Sequence, residues 1–152
     1  MTARMKSPAT ILPDVIPSVQ GLYKAMYSTG IDPVVLELIH LWASQVNGCA
    51  PCVLAGVTGA KKHGETDERL HQVVAWRESD LFTDAERSAL ALTEAATRLA
   101  DKTDAVPDDV WADAAAHYDE GHLAALLLMI ALTNFFNRIN VSIREPAGVS
   151  WG

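Results

Sequence analysis

The sequence predicts an all-α fold in a single domain, and three observations support this prediction. Residues that start and end helices recur along the chain, no segment alternates apolar and polar residues long enough to suggest a strand, and no linker divides the sequence. A length of 152 residues fits one domain. With 49% hydrophobic and 20% charged residues, the composition is that of a globular protein.

The helix boundaries follow from capping residues. Gly30 can end a first helix in the left-handed conformation, and Asp32 with Pro33 starts the next one. Thr83 and Glu86 have the spacing of a capping box, which opens a helix further along the chain. The predicted helices cover residues 18–29, 33–47, 49–63, 66–76, 84–102, 107–117 and 119–140.

The two ends of the chain differ from this helical pattern. Residues 1–17 are proline-rich and lack periodicity, so we expect an N-terminal arm whose order depends on a neighbour. The helical domain is expected to cover residues 18–145, followed by a C-terminal tail at 146–152. The N-terminus lacks the apolar region of a signal peptide, which predicts a cytoplasmic protein.

Charge and hydropathy narrow the range of partners. The formal net charge is −7, with 19 acidic and 12 basic residues, which disfavours binding to nucleic acid or to an anionic membrane. The longest uninterrupted apolar run, residues 123–132, has ten residues, about half of what a spanning helix needs. No glycine loop for phosphate and no dinucleotide fingerprint is present, so no cofactor is predicted.

The last predicted helix is apolar almost all round its surface. Such a helix is buried either in the centre of a bundle or against another subunit. Because a domain of this size has few layers to cover it, we favour a homo-oligomer, with an intramolecular core helix as the alternative. Asn134, Asn137 and Arg138 form a polar patch late in this helix, which indicates hydrogen bonds between helices or between subunits.

The most informative string is the Cys-x-x-Cys pair of Cys49 and Cys52 at a predicted helix start. Cysteines three residues apart on a helix lie on one face, close enough to form a disulfide with modest adjustment. A helix N-terminus stabilises a thiolate, which attacks peroxides and disulfides, and a neighbouring thiol can resolve the resulting sulfenic acid. In a reducing compartment such a pair indicates redox chemistry.

Two alternatives compete with the redox interpretation. The pair could be half of a zinc site, but no second pair exists and the histidines lack finger-like spacing, so no metal is predicted. The two cysteines could also be small buried residues without chemistry, because free cysteine packs as a hydrophobic side chain.

Glu37 is the second informative residue, since it is the only charged side chain between Pro33 and Asn47. Spacings of three and four place it on one helical stripe with His40, Ser44 and Asn47. From spacing alone, the favoured interpretation is that this stripe meets water. The functional alternative is that the stripe faces the cysteine pair, with Glu37 as a base whose pKa rises on burial.

Several separated motifs, arriving in order, resemble the alkylhydroperoxidase D-like, carboxymuconolactone decarboxylase family. The resemblance covers roughly residues 22–143 and implies an all-helical fold that assembles into dimers, trimers or hexamers. The segments that carry it are 36–41 (LELIHL), 43–52 (ASQVNGCAPC), 75–78 (AWRE), 82–87 (FTDAER), 89–94 (ALALTE) and, in the last helix, Asn134 with 137–140 (NRIN).

The resemblance also implies roles for individual residues. Peroxide-reducing members carry a glutamate and, twelve residues later, a Cys-x-x-Cys pair, a pattern that Glu37, Cys49 and Cys52 match. By this correspondence Cys52 is the peroxidatic cysteine and Cys49 its resolving or proton-donating partner. The family's usual reductant is a dithiol carrier, such as a lipoylated protein.

One position departs from the family pattern. Active members have a relay histidine four residues after the second cysteine, and this sequence has Gly56 there. The relay could pass to His40, or to water filling a gap left by the glycine, or the glycine could widen a pocket for another ligand. General acid–base help is worth typically 10²–10⁴-fold, so its loss predicts impaired activity, which Gly56→His should raise if the rest of the relay is intact.

The leading hypothesis is therefore a thiol-dependent peroxidase or disulfide reductase, impaired relative to active relatives, with Cys52, Cys49, Glu37 and His40 as its site residues. The alternative is a non-catalytic oligomeric binding protein that kept the fold. Muconolactone decarboxylation ranks last, because branches of the family that perform it do not rely on this cysteine pair.

Overall fold

The computed structural model describes residues 2–100 and 102–148, and within these residues every regular element is a helix. This confirms the predicted all-α fold. The helices are α1 (Pro8–Ile11), α2 (Val15–Tyr27), α3 (Pro33–Val46), α4 (Ala50–Lys62), α5 (Asp67–Gln72), α6 (Asp84–Thr97), α7 (Asp108–His117) and α8 (Glu120–Ile143), with a 3₁₀ turn at Val73–Ala75 after α5.

The predicted capping residues start their helices. The Asp32 side chain accepts a hydrogen bond from a backbone N–H in the first turn of α3, and Pro33 is the first residue of that helix. Thr83 and Glu86 form the reciprocal capping box of α6. Asp119 caps α8 through its side chain. Local side-chain chemistry therefore sets these starts, as the sequence predicted.

Four helix boundaries differ from the prediction by three residues or more, and one of them is the end of α5 at Gln72, where a 3₁₀ turn follows instead of the helix predicted to reach residue 76. Helix α2 starts at Val15, inside the segment expected to be an arm. Helix α6 ends at Thr97, five residues before 102, because its buried face ends there and Leu99 is exposed. Helix α8 continues past Asn140 to Ile143, whose side chain is buried and whose carbonyl accepts a hydrogen bond from the Arg4 N–H.

Helix α3 lies at the centre of the fold. Its Leu36 and Ile39 pack into a core shared with α2, α6, α7 and α8, and its Leu38 and Leu41 pack into a second core with α4, the 3₁₀ turn and α6. A helix buried on two sides in this way has little surface left for solvent. Its polar residues are therefore held against neighbouring helices.

Helix α8 is only partly covered. One side packs into the core through Leu126, Met129 and Ile130, whereas Leu128 and Phe135 on the other side are exposed. By length and composition it is the one helix in the described part of the chain that could cross a membrane, and 50% of its apolar window is buried inside the fold.

The terminal segments are close to the helical body where they are described. In the predicted arm, Ser7 and Ala9 are buried and α1 packs against α2. Of the predicted tail at 146–152, residues 149–152 lie outside the described part of the chain.

Candidate functional site

The cysteine pair forms a disulfide at the start of α4, directly after the turn that follows α3. Gly48 has a positive φ of 66°, which a glycine adopts without a steric cost and which turns the chain between the two helices. Cys49 is the N-cap of α4 and Cys52 lies in its first turn, with Cα atoms 5.3 Å apart and the sulfurs bonded. Cys49 is fully buried, whereas Cys52 keeps 4% exposure, so both residues of the pair are buried and Cys52 is the slightly more exposed one.

The position of the pair favours a thiolate on reduction. The first turn of α4 has backbone N–H groups that the helix itself leaves without partners, and they carry the positive end of the helix dipole. Both effects stabilise a negative charge on a sulfur at this position. The structure thus places the cysteines where the sequence predicted them, at a helix N-terminus.

A ladder of asparagines on α8 faces the pair. Asn134, Asn137 and Asn140 are three residues apart, so they share one face of the helix. The Asn47 amide nitrogen, at the end of α3, donates to the side-chain oxygens of Asn134 and Asn137, at 2.9 and 2.8 Å. The Asn137 amide in turn donates to Ser44 at 3.2 Å. The sequence left open whether this polar patch forms hydrogen bonds between helices or between subunits. The bonds described here join helices within one chain.

The last residue of the ladder contacts the reactive pair. The Asn140 amide nitrogen donates to the Cys52 sulfur at 3.2 Å. Asn140 was not among the candidate site residues predicted from the sequence. The three-residue spacing of the asparagines was a detectable signal that they share a face, but the packing of α8 on α4 decides what that face contacts.

Glu37 belongs to a separate group of polar side chains, near the start of α3 and the end of α4. Its side chain is 12% exposed and accepts a hydrogen bond from the Tyr27 hydroxyl at 3.3 Å. Burial raises the pKa of this carboxyl, and the nearby His63 and the Tyr27 hydrogen bond oppose the rise. Burial and the Glu37 charge together raise the pKa of Tyr23 and of Tyr27 to about 12. Neither tyrosine was a candidate site residue from the sequence, because no motif or spacing links them to Glu37.

His40 lies next to Glu37. Its Nδ1 is 3.9 Å from a Glu37 carboxylate oxygen, and its side chain is 18% exposed. Burial lowers the pKa of His40 to about 4, so the imidazole is neutral at neutral pH. Ser44, on the same stripe, is fully buried. The interpretation of this stripe as a solvent-facing surface is therefore wrong for Glu37, His40 and Ser44, whereas Asn47 at its end is exposed.

The structure separates Glu37 from the disulfide. A Cβ atom built on Gly59 would lie 2.4 Å from a Glu37 carboxylate oxygen, so Gly59 is the part of α4 that the carboxylate approaches. Gly59 follows Cys52 by seven residues, which is about 10 Å along a helix axis. Glu37 therefore lies about two helical turns from Cys52 along α4, whereas Leu41, the residue after His40, packs against Gly56, one turn after Cys52.

Gly56 does not leave open space beside the thiol. A Cβ atom at this position would lie 3.2 Å from the Leu41 Cα and 3.3 Å from its backbone nitrogen. The glycine instead allows α3 and α4 to approach each other closely, with backbone against backbone. The expectations of a widened pocket or of a water-filled gap at Gly56 are therefore wrong, because the space is occupied by α3.

Cavities near the site are modest. A cavity of about 240 Å³, lined by Asn47, Asn137, Arg138, Val141 and Ser142, borders the asparagine ladder. A larger apolar groove of about 610 Å³ lies on the other side of α8, between α8 and the N-terminal helices. Among the described residues no group of three or more His, Cys, Asp or Glu side chains is arranged to hold a metal ion.

Fold and site together define a class of protein: an all-helical domain with a disulfide-forming Cys-x-x-Cys pair at a helix N-terminus. The sequence model of the carboxymuconolactone decarboxylase family matches residues 13–95. The chain belongs to this family.

Two curated relatives match over most of this chain. YdfG of Bacillus subtilis (strain 168), an uncharacterized protein, is 34% identical over 137 residues, which are 90% of this chain and 92% of the relative. YnjA of Escherichia coli (strain K12), also uncharacterized, is 36% identical over 118 residues, covering 77% of this chain and 63% of that relative.

Solved structures share the fold. A protein of unknown function from Agrobacterium tumefaciens, described as a candidate antioxidant defence protein AhpD, superposes with a TM-score of 0.87 at 31% identity, covering 98% of this chain and all of that one. The apo structure of the debrominase Bmp8 superposes with a TM-score of 0.74 at 22% identity, covering 90% of this chain and 73% of that one. The likeness to Bmp8 is one of fold alone.

Proposed function

We propose that this protein is a thiol-dependent oxidoreductase that reduces hydroperoxides or disulfides through Cys52 and Cys49. The observation that carries the proposal is the Cys49–Cys52 disulfide in the first turn of α4. The pair can exist in two redox states without rearranging the helix, because the disulfide joins residues already adjacent on it. The likeness to a candidate antioxidant defence protein supports the same chemistry.

The proposed reaction starts from the reduced pair. The Cys52 thiolate attacks the terminal oxygen of a hydroperoxide, an S–O bond forms, the O–O bond breaks, and the alcohol leaves after taking up a proton. The Cys49 thiol then attacks the sulfenic sulfur, the S–S bond forms, and the hydroxyl leaves as water. Two electrons pass from the two thiols to the peroxide, and a dithiol, such as a lipoylated protein, returns them.

Glu37 is proposed to serve as the proton reservoir for this cycle. A buried carboxyl with a raised pKa titrates nearer to neutral pH than an exposed one, which suits a group that gives up and regains a proton. The neutral His40, 3.9 Å away, lies beside it and is the residue proposed to take the place of the missing relay histidine. Proton transfer between Glu37 and Cys52, about two helical turns apart along α4, needs bridging groups, which is consistent with the predicted impairment.

The homo-oligomer also remains a proposal, and the structure offers support for it. Leu128 and Phe135 on α8 are exposed and line the apolar groove between α8 and α2. Leu127 is also exposed and lines a second cavity, of about 440 Å³, together with Leu99. Exposed apolar patches of this kind mark surfaces that another protein covers. We propose that a second copy of the chain covers this side of α8, and that the protein acts in the cytoplasm.

The test is mass spectrometry of the reduced protein after a stoichiometric pulse of an organic hydroperoxide. The parent should lose two hydrogens rapidly, and a sample kept without peroxide should not. Cys49→Ser should gain one oxygen, trapped as a dimedone adduct on Cys52, and Cys52→Ser should remain unchanged. Equal reaction of Cys52→Ser and the parent would contradict the assignment, and an unchanged parent would favour the non-catalytic binding protein instead.

A further inference from the structure

Asn140 is a buried side chain whose hydrogen-bonding capacity is poorly used in the disulfide form. Its amide nitrogen donates to the Cys52 sulfur at 3.2 Å, and the residue is only 6% exposed. Among the described residues, no donor lies within hydrogen-bonding distance of its buried Oδ1 atom. Since both atoms are attached to one carbon, the unpaired oxygen also lies within a few ångström of that sulfur.

This arrangement is unfavourable for stability alone. A disulfide sulfur is a weak acceptor, and a buried oxygen without a donor loses its hydration without compensation. A leucine has nearly the same size and would fill the same space without either loss. The Asn140 amide therefore forms more favourable hydrogen bonds in a state of the protein other than the disulfide.

That state is the reduced one. We propose that Asn140 is a catalytic residue, whose amide N–H donates to the Cys52 thiolate and whose Oδ1 accepts from the sulfenic acid formed on it. A thiolate is a stronger acceptor than a disulfide sulfur, because hydrogen bonds to charged groups are stronger than those to neutral ones. This inference rests on the proposed function, since it assigns a role in the reaction of the same cysteine.

The rest of the ladder holds the amide in place. Asn134 and Asn137 accept from Asn47 at the end of α3, and the Asn134 amide also donates to Thr97 on α6 at 3.2 Å. These bonds fix the rotation of α8 about its axis. Because Asn140 lies on the same face, its amide is directed at α4 whether or not the disulfide is present.

The experiment measures the Cys52 thiol pKa directly. In a Cys49→Ser background Cys52 is the only cysteine, so its titration is followed by the ultraviolet absorbance of the thiolate and requires neither peroxide nor access for a reagent. Loss of a hydrogen bond to a charged group raises the pKa of a thiol by about one to two units. Asn140→Leu should show this rise and, at a pH below the thiol pKa of both proteins, should alkylate with iodoacetamide about threefold more slowly per unit of rise.

Thr93→Val is the control. It removes a buried hydroxyl from α6 that donates to the Ala89 carbonyl of the same helix, outside the asparagine ladder, so it should lower stability and leave the Cys52 thiol pKa unchanged. Asn140→Met, which also lacks an N–H donor and has an adaptable side chain, provides a second variant if Asn140→Leu does not fold.

An unchanged thiol pKa in the folded Asn140 variants would overturn the inference. So would an equal rise in Thr93→Val, because the shift would then reflect disturbed packing. The outcome is separate from the proposed function. A raised pKa in a protein whose parent ignores hydroperoxide would keep the role of Asn140 toward the thiolate and refute the peroxidase.

Discussion

Substitution of Gly56 is predicted to destabilise the protein even though it favours the helix in isolation. Gly56 is buried within α4, where a side chain would meet the backbone of Leu41 in α3. Alanine in place of glycine inside a helix ordinarily stabilises a protein by about 0.5–1 kcal/mol. The close approach of the two helices opposes this gain.

The magnitude follows from the geometry. The added Cβ would lie 3.2–3.3 Å from three atoms of Leu41, two of them backbone atoms, which is closer than ordinary van der Waals contact. Leu41 cannot move aside easily, because α3 is packed into two cores. Overpacking of this kind costs typically 1–3 kcal/mol, which offsets or exceeds the gain for alanine. For histidine, with a larger side chain and a weaker helix preference, we expect a net loss of about 1–3 kcal/mol.

Gly21 provides the matched control. It lies in α2, and a Cβ built on it meets no atom within 4 Å. Gly21→Ala should therefore raise the free energy of unfolding by about 0.5–1 kcal/mol, and Gly56→Ala should be about 1–3 kcal/mol less stable than Gly21→Ala. For a chain of this length, each kcal/mol corresponds to about 2–4 °C in the melting temperature.

Urea unfolding of the oxidised proteins, with thermal melts alongside, measures these differences. If Gly56→Ala gained as much stability as Gly21→Ala, or Gly56→His matched the parent, the close crossing of α3 and α4 would be refuted. The sequence led us to expect that Gly56→His raises peroxide turnover, and the structure predicts the opposite. We expect this variant to lose stability and to gain no peroxide turnover, since the histidine would have to separate the helices.

Two further predictions concern acid stability and assembly. Since burial lowers the pKa of His40 to about 4, the folded protein binds fewer protons than the unfolded chain between about pH 4 and 6.5, and stability falls as the pH falls through this window. The raised pKa of Glu37 has the opposite effect, increasing stability as the pH falls, in the parent and in a His40→Asn variant alike. His40→Asn should therefore reduce the loss of stability between pH 6.5 and pH 4 by up to about 3 kcal/mol in urea titrations, and an unchanged pH dependence would contradict the burial of a neutral imidazole. Light scattering coupled to gel filtration should give two, three or six times the 16.4 kDa of one chain, whereas a mass of 16.4 kDa would contradict the homo-oligomer.

Local features of the sequence determined the fold class and most helix starts. Asp32, Thr83 and Asp119 cap their helices through contacts spanning only two or three residues, so the chain needs no tertiary context to specify them. The Cys-x-x-Cys pair was identifiable for the same reason, because two residues three apart at a helix start are neighbours whatever the rest of the fold does.

Helix ends and the surroundings of the site required the tertiary structure. The end of α6 depends on where its buried face stops, and the extension of α8 depends on the burial of Ile143. The spacing that put Glu37 and His40 on one stripe gave no information about which helix would cover that stripe. A helical period fixes which residues share a face, but long-range packing decides what the face contacts.

The same distinction separates the parts of the candidate site. The sequence by itself determined that the two cysteines are adjacent at the start of a helix, because that requires only local geometry. Only the tertiary structure decided that Asn140, 88 residues away along the chain, donates to Cys52. The same holds for the distance of about two helical turns between Glu37 and the disulfide, and for the occupation by α3 of the space beside Gly56. These contacts depend on how α3, α4 and α8 pack, and that packing is set by the apolar faces of the whole domain.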